Sequence, residues 1–186
     1  ASAFVLYHEG MVSKDQEIRF FTKSGLLKIT KKNDLLEMDF PAEPPRQFMP
    51  PPVLTRSLGV TALSAWQNRM DILIEVENER DLLAAEPDFQ ALKKLPARGI
   101  IVTSRSDDSN YDFKSRFFAP RFGIDEDPVT GSAHCCLGPF WADRLGKNEF
   151  CAYQASQRGG VVYVVVDGDR VKLSGNAVLV MRGEIY

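Results

Sequence analysis

Six prolines fall between positions 41 and 52, at Pro41, Pro44, Pro45, Pro50, Pro51 and Pro52. Proline has no backbone N–H and holds φ near −65°, so this stretch can be neither a helix nor a strand in the middle of a sheet. It is a connector, and it divides the chain into residues 1–52 and 53–186. Upstream, Ala-Ser-Ala-Phe-Val-Leu-Tyr-His reads as the last turns of an apolar helix closed at Glu9-Gly10. Three β-type runs follow, at 18–22, 26–30 and 35–40, separated by the hairpin signals Ser24-Gly25 and Asn33-Asp34.

Downstream the order is mixed. Residues 53–58 suit a short helix, 62–67 and 71–76 suit strands, and 80–95 has helical composition interrupted at Pro87. Strands are expected at 99–104 and 111–118, then one long helix at 132–145 closed by Gly146. Further strands are expected at 150–156, 161–166, 171–173 and 177–181. The sequence of helix, Gly and three strands in residues 1–42 thus returns in residues 132–177. Ser24-Gly25 answers Gly159-Gly160, and Asn33-Asp34 answers Asp167-Gly168, so the chain reads as two copies of one unit. The second copy has strands and a glycine-containing turn before its helix, whereas the first opens directly on the helix. The first half is therefore expected to be incomplete, with its own strands and turn lying upstream.

With 44% apolar and 26% charged residues the chain can bury an ordinary core. Its 23 Lys and Arg against 25 Asp and Glu give a net charge of −2 with no long basic run, which argues against nucleic acid as a partner. The apolar run 161–166 is too short to span a bilayer. Three cysteines, Cys135, Cys136 and Cys151, form neither a disulfide framework nor the paired spacing of a zinc site. A soluble, cytoplasmic protein in a reducing compartment, without a metal, is expected.

The chemistry concentrates in Phe117-Phe118-Ala-Pro-Arg-Phe-Gly-Ile-Asp-Glu-Asp-Pro-Val-Thr-Gly-Ser-Ala-His134, which runs from a strand through an acidic, glycine-containing turn into the long helix. The first N–H groups of a helix are unpaired and lie at its positive end, so they stabilise a carboxylate or an enolate-like oxyanion. Gly131 allows close approach. Thr130 and Ser132 are natural caps that can donate to the same anion, and Pro128 fixes the turn and orients Asp127. Spacing alone favours a helix whose Asp127 and Ser132 do no more than cap it.

The segment from Pro120 to His134 resembles the second-half signature of the phenazine-biosynthesis-like family, which is related to diaminopimelate epimerase. Gln154-Ala-Ser-Gln-Arg158-Gly-Gly160 and Arg170-Val-Lys-Leu-Ser-Gly-Asn-Ala-Val178 resemble that family's closing strands. The resemblance implies an α/β (α+β) fold of two similar halves, each a β-barrel-like sheet around a central helix, with the active site between the two helix N-termini. Residues 1–52 would be the remainder of the first half and 53–186 the second. It implies an isomerase or epimerase that shifts a proton on a small carboxylic acid without a cofactor, using a glutamate from the first half as general acid-base. By motif match Asp127 and Ser132 fall on the catalytic positions, and Thr130, Gly131 and Ser132 on the substrate-binding ones. That glutamate and the first-half Gly-His turn have no counterpart here, so this segment alone is expected to be inactive, because proton transfer needs its acid-base group within hydrogen-bond reach. A second copy of the chain and a complementing N-terminal fragment are the protein partners expected. The competing reading is a non-catalytic ligand-binding or protein-interaction module on the same fold.

Other residues read as structural. His134 is expected to pack or cap, and His8 to meet the negative end of its helix. Cys135 and Cys136 lie inside the long helix, beyond the reach of its positive end, and read as core thiols rather than a racemase pair. Trp66 and Trp141 read as core aromatics. Arg158-Gly159-Gly160 reads as a bulge with close backbone approach or as a plain turn, and Arg121 as an anion holder or as a partner of Asp125 or Glu126.

Overall fold

The computed structural model describes residues 1–22 and 25–184. The two apolar runs on either side of the proline-rich connector end in the same sheet. In chain order the elements are α1 (Ser2–His8), β1 (Ile18–Thr22), β2 (Gly25–Lys32), β3 (Leu35–Pro41), β4 (Arg46–Gln47), α2 (Pro52–Leu58), β5 (Ser64–Gln67) and β6 (Asp71–Glu75). They continue with α3 (Glu79–Leu83), α4 (Phe89–Leu92), β7 (Gly99–Arg105), β8 (Phe113–Phe118), a 3₁₀ turn (Pro120–Phe122), α5 (Gly131–Leu145), β9 (Glu149–Gln154), β10 (Gly160–Asp167) and β11 (Arg170–Gly175). Among the described residues the strands form one sheet in the order β1-β2-β3-β11-β10-β9-β8-β7-β6-β5-β4.

The internal repeat is visible as two helix-plus-meander units, α1-β1-β2-β3 and α5-β9-β10-β11, both antiparallel in their strands. Each closes its last hairpin with two residues, Asn33-Asp34 between Lys32 and Leu35 and Gly168-Asp169 between Asp167 and Arg170. The left-handed backbone that such turns demand falls on Asn33 (φ 55°) and Gly168 (φ 59°). The two meanders meet edge to edge, β3 antiparallel to β11, so the two sheets expected from the repeat are joined into one. Ser24, half of the expected Ser24-Gly25 hairpin signal, lies outside the described residues.

The two parallel pairs, β6 with β7 and β8 with β9, need crossovers, and the helices supply them: α3 and α4 for the first, α5 for the second. Pro87 splits the expected helix at 80–95 into α3 and α4, capped by the side chains of Asn78 and Asp88. β7 is buried on both faces. Ile101 faces a core shared with α5, while Ile100 and Val102 face a second core against α2, α3 and α4. A third, smaller core joins Ala3 and Tyr7 of α1 to Ile18 and Ile29.

The proline-rich stretch behaves as a connector with one two-residue edge strand, β4, paired to β5. It is also tied to α5 for a definite reason. Pro139 lies inside α5 and has no N–H to give the carbonyl four residues back, Cys135 O. The backbone N–H of Glu43 takes that place at 2.9 Å. One expected element is absent: residues 177–181 belong to no strand. Their composition favours β structure, but β11 is already paired on both sides, by β3 and β10, and offers no free edge.

Candidate active site

The turn before α5 is held by a buried amide. Gln154, on β9 and fully buried, accepts from Thr130 N–H at 2.8 Å through Oε1, while its Nε2 donates to Asp127 O at 2.7 Å and to Thr130 Oγ1 at 3.1 Å. Asp127 N–H donates to Phe117 O at 3.0 Å, which anchors the start of the turn on β8. Ser156 fastens a second turn to it, donating to Pro128 O at 2.8 Å and accepting from Gly159 N–H at 3.0 Å. Glycine is required beside this join: a Cβ on Gly160 would stand 2.4 Å from Val129 Cγ2. Gly159 has φ 69°, and a Cβ there would meet the Tyr153 hydroxyl oxygen at 2.0 Å. Arg158-Gly159-Gly160 is therefore the close-approach end of the β9-β10 hairpin.

Asp127 and Thr130 are brought together, but not as helix caps. Thr130 occupies the N-cap position of α5, yet its hydroxyl donates to Asp127 Oδ2, and among the described residues no side chain caps the α5 N–H groups. The Thr130 hydroxyl proton is thus engaged by the Asp127 carboxylate. Asp127 Oδ1 has no hydrogen-bond partner among the described residues. Ser132 is half-buried in the first turn of α5 and caps nothing. The first-turn N–H groups are thus left open at the positive end of a 15-residue helix.

Beside that end lies a crevice of about 810 Å³. Its lining includes Gly131 and Val129 from the α5 turn, Ala1, Ser2 and Ala3 at the start of α1, and the β9-β10 turn. The starts of both helices in the repeat therefore open on one cavity. Of the four residues singled out from sequence, Gly131 lines it directly. Asp127, Thr130 and Ser132 adjoin the lining residues without being part of the wall, Thr130 buried and the other two half-buried.

His134 is a core residue as expected, and more completely so than spacing suggests. It is fully buried beneath the turn, with Nδ1 at 2.8 Å from Thr130 O, its ring near Phe113 and Nε2 without a partner among the described residues. Burial disfavours the imidazolium and lowers its pKa to about 4, against the carbonyl contact that favours it. Burial likewise pushes the Cys135 thiol up to about 12 and the Cys136 thiol higher still, so neither is a thiolate near neutrality. Trp141 is buried and donates to Thr103 Oγ1 at 3.1 Å, whereas Trp66 is only partly buried, with Arg144 over its ring. Arg121 pairs with neither Asp125 nor Glu126. It donates to Leu95 O at 3.1 Å, and Glu126 is taken by Arg116 through two bonds of 2.8 and 3.0 Å. His8 sits at the end of α1, stacked on Phe4.

Sequence reasoning missed the parts played by Gln154 and Ser156. Both stand in the segment that carries the family likeness, but no spacing rule distinguishes a buried clamp from an ordinary strand glutamine.

The family profile described as phenazine biosynthesis-like protein matches residues 1–183. The chain belongs to the phenazine biosynthesis-like family. It is similar to an uncharacterized isomerase of Halalkalibacterium halodurans, 49% identical over 186 residues, which is all of this chain and 70% of that protein. A crystal structure of a phenazine biosynthesis protein of the same family from Enterococcus faecalis superposes with a TM-score of 0.93 at 38% identity, covering 100% of this chain and 70% of that one. A hydroxyproline epimerase from Agrobacterium vitis, with bound trans-4-hydroxy-L-proline, shares the fold at a TM-score of 0.56 and 14% identity, over 94% of this chain and 62% of that one. The fold is thus mixed α+β, sheet-dominated and of the kind that epimerases use. Among the described residues, no helix is long and apolar enough to cross a membrane.

Proposed function

We propose that this chain carries the substrate-holding wall of a cofactor-independent isomerase or epimerase that shifts a proton on a small carboxylic acid. The observation that carries the reading is the uncapped start of α5, with Gly131 in the crevice wall and the Asp127 carboxylate fixed three residues before Thr130 by that residue's hydroxyl. Isomerase relatives and an epimerase-type fold support it.

Removing a proton from carbon next to a carboxyl group places charge on the carboxyl oxygens. Donors already aimed at that charge lower the barrier, because they need not reorganise as it develops. The N–H groups at Gly131 and Ser132 and the Ser132 hydroxyl are the proposed donors. Thr130 takes one oxygen of Asp127 and leaves Oδ1 to receive a hydrogen bond from the substrate, which fixes the substrate's orientation. Asp127 and Ser132 are thus the proposed catalytic contacts, with Thr130 and Gly131 completing the binding turn. The proton carrier in this proposal is a glutamate, as the family resemblance implies.

The test is proton-deuteron exchange in D₂O by the full-length protein, over a panel of small saturated and unsaturated carboxylic acids. Deuterium entering one carbon position of at least one acid supports the proposal. Stoichiometric binding of acids with no incorporation across the panel favours a non-catalytic binding module.

A further inference from the structure

The crevice beside α5 is chemically one-sided. Its walls include apolar residues of both meanders, Leu27, Ile29 and Met38 from the first and the buried Val162 and Leu173 from the second. Among the described residues that line it, Arg158 is the only charged side chain, and no acidic side chain lines it. The Arg158 side chain makes no hydrogen bond or ion pair among the described residues, although most other arginines here are engaged with carboxylates or carbonyls. An exposed arginine on a hairpin tip is ordinarily a mobile, solvated charge. This one stands on a turn whose backbone is fastened twice to the α5 turn, by Ser156 to Pro128 O and by the contact of Gly160 with Val129. The root of the guanidinium arm is therefore fixed at the crevice.

We propose that Arg158 selects the ligand of this crevice, pairing with its carboxylate while an apolar body of ring or short-chain size lies against the strand walls. This rests on the carboxylic-acid reading above and narrows it from small carboxylates in general to amphiphilic ones. A guanidinium offers a planar fork that fits a carboxylate and tells it from the neutral amide of the same shape. The walls reward hydrocarbon by the area they remove from water. The cavity, at about 810 Å³, lies within the range of small-molecule sites and has room for a ring-sized acid. Arg158 is a positioning and selecting residue: it acts on binding of the carboxylate and takes no proton itself.

The test uses the full-length protein and three probes, cyclohexanecarboxylate, cyclohexanecarboxamide and acetate, with binding followed by NMR shifts of the Gly131 and Gly160 amides. The wild type should hold the carboxylate roughly two- to fivefold more tightly than the amide, as expected of one exposed ion pair. Arg158→Gln should bring that ratio close to one and abolish its salt dependence, Arg158→Lys should restore part of it, and acetate should bind at least about tenfold more weakly than the cyclohexane acid. In turnover, Arg158→Gln should lower kcat/KM for the carboxylate, with a rise in KM as the larger part of the loss and partial recovery in Arg158→Lys. An unchanged carboxylate-to-amide ratio in Arg158→Gln, or acetate binding as tightly as the ring acid, would overturn the inference. The isomerase reading is judged separately by deuterium exchange: exchange by a wild type whose ratio does not depend on Arg158 defeats only this inference. A ratio that collapses in the variant, without any exchange by the wild type, defeats only the isomerase reading.

Discussion

Replacing Gln154 by leucine isolates what the clamp contributes. The two side chains are similar in size, so the change leaves little cavity. It does remove the partner of Thr130 N–H (2.8 Å), of Asp127 O (2.7 Å) and of Thr130 Oγ1 (3.1 Å), around a side chain with no exposed surface. Each buried group left unpaired costs about 1–3 kcal/mol. The Thr130 hydroxyl still donates to Asp127, and the Asp127 carbonyl is only part-buried and gains some water. The fully buried Thr130 N–H then dominates, and the total comes to about 3 kcal/mol rather than the sum of three full penalties. For a chain of this size that lowers Tm by roughly 6–12 °C. Thermal unfolding by circular dichroism reads the shift, and hydrogen exchange of the Thr130 amide reads the place: its protection should fall more than that of amides in β6. A Tm within about 2 °C of the wild type together with an unchanged Thr130 exchange rate would refute the argument that Gln154 holds the turn.

Further outcomes follow from buried groups around the same turn. His134 has a folded-state pKa of about 4 against an ordinary 6.5, so between those values the unfolded chain binds the extra proton. Its contribution is complete above pH 6.5 and is lost as pH falls toward 4, up to about 3 kcal/mol; urea titrations at pH 7.5 and 4.5 should show that loss, and His134→Gln should remove most of the pH dependence. Gly160→Ala places a methyl 2.4 Å from Val129 Cγ2 and should destabilise by about 1–3 kcal/mol, with Val129→Ala in the same chain recovering part of the loss in urea titration. Cys135 and Cys136, with thiols held at about 12 and above, should resist iodoacetamide at pH 8 in the folded protein while Cys151 reacts; equal labelling of all three would contradict their burial.

Much of the fold is legible because local chemistry and tertiary structure agree. Alternating apolar residues, the Asn33-Asp34 turn, Gly168 in the second hairpin, Pro87 and the Gly146 stop each leave one local option open. The C-terminal run Ala-Val-Leu-Val-Met at 177–181 shows where that ends: β propensity describes a residue's fitness for a sheet, but a strand also needs a partner edge, and one edge of β11 is taken by β3, far away in the sequence. The site shows the same division. Asp127, Gly131 and Ser132 are legible as a turn entering a helix. Whether Thr130 caps that helix or binds Asp127 is a competition between two local hydrogen bonds, and Gln154 decides it from 24 residues away. Arg158 is legible as a residue but not as the only charged side chain in a cavity wall, since that wall is assembled from both meanders.

The central claim is that the Asp127–Ser132 turn holds the acid whose proton moves. The direct measurement is the rate of deuterium incorporation into an exchanging carboxylic acid by the full-length wild type, Asp127→Asn and Ser132→Ala, each first shown to be folded. The account predicts a fall of at least about a hundredfold for Asp127→Asn and about tenfold or more for Ser132→Ala. Exchange at the wild-type rate in both variants would contradict it.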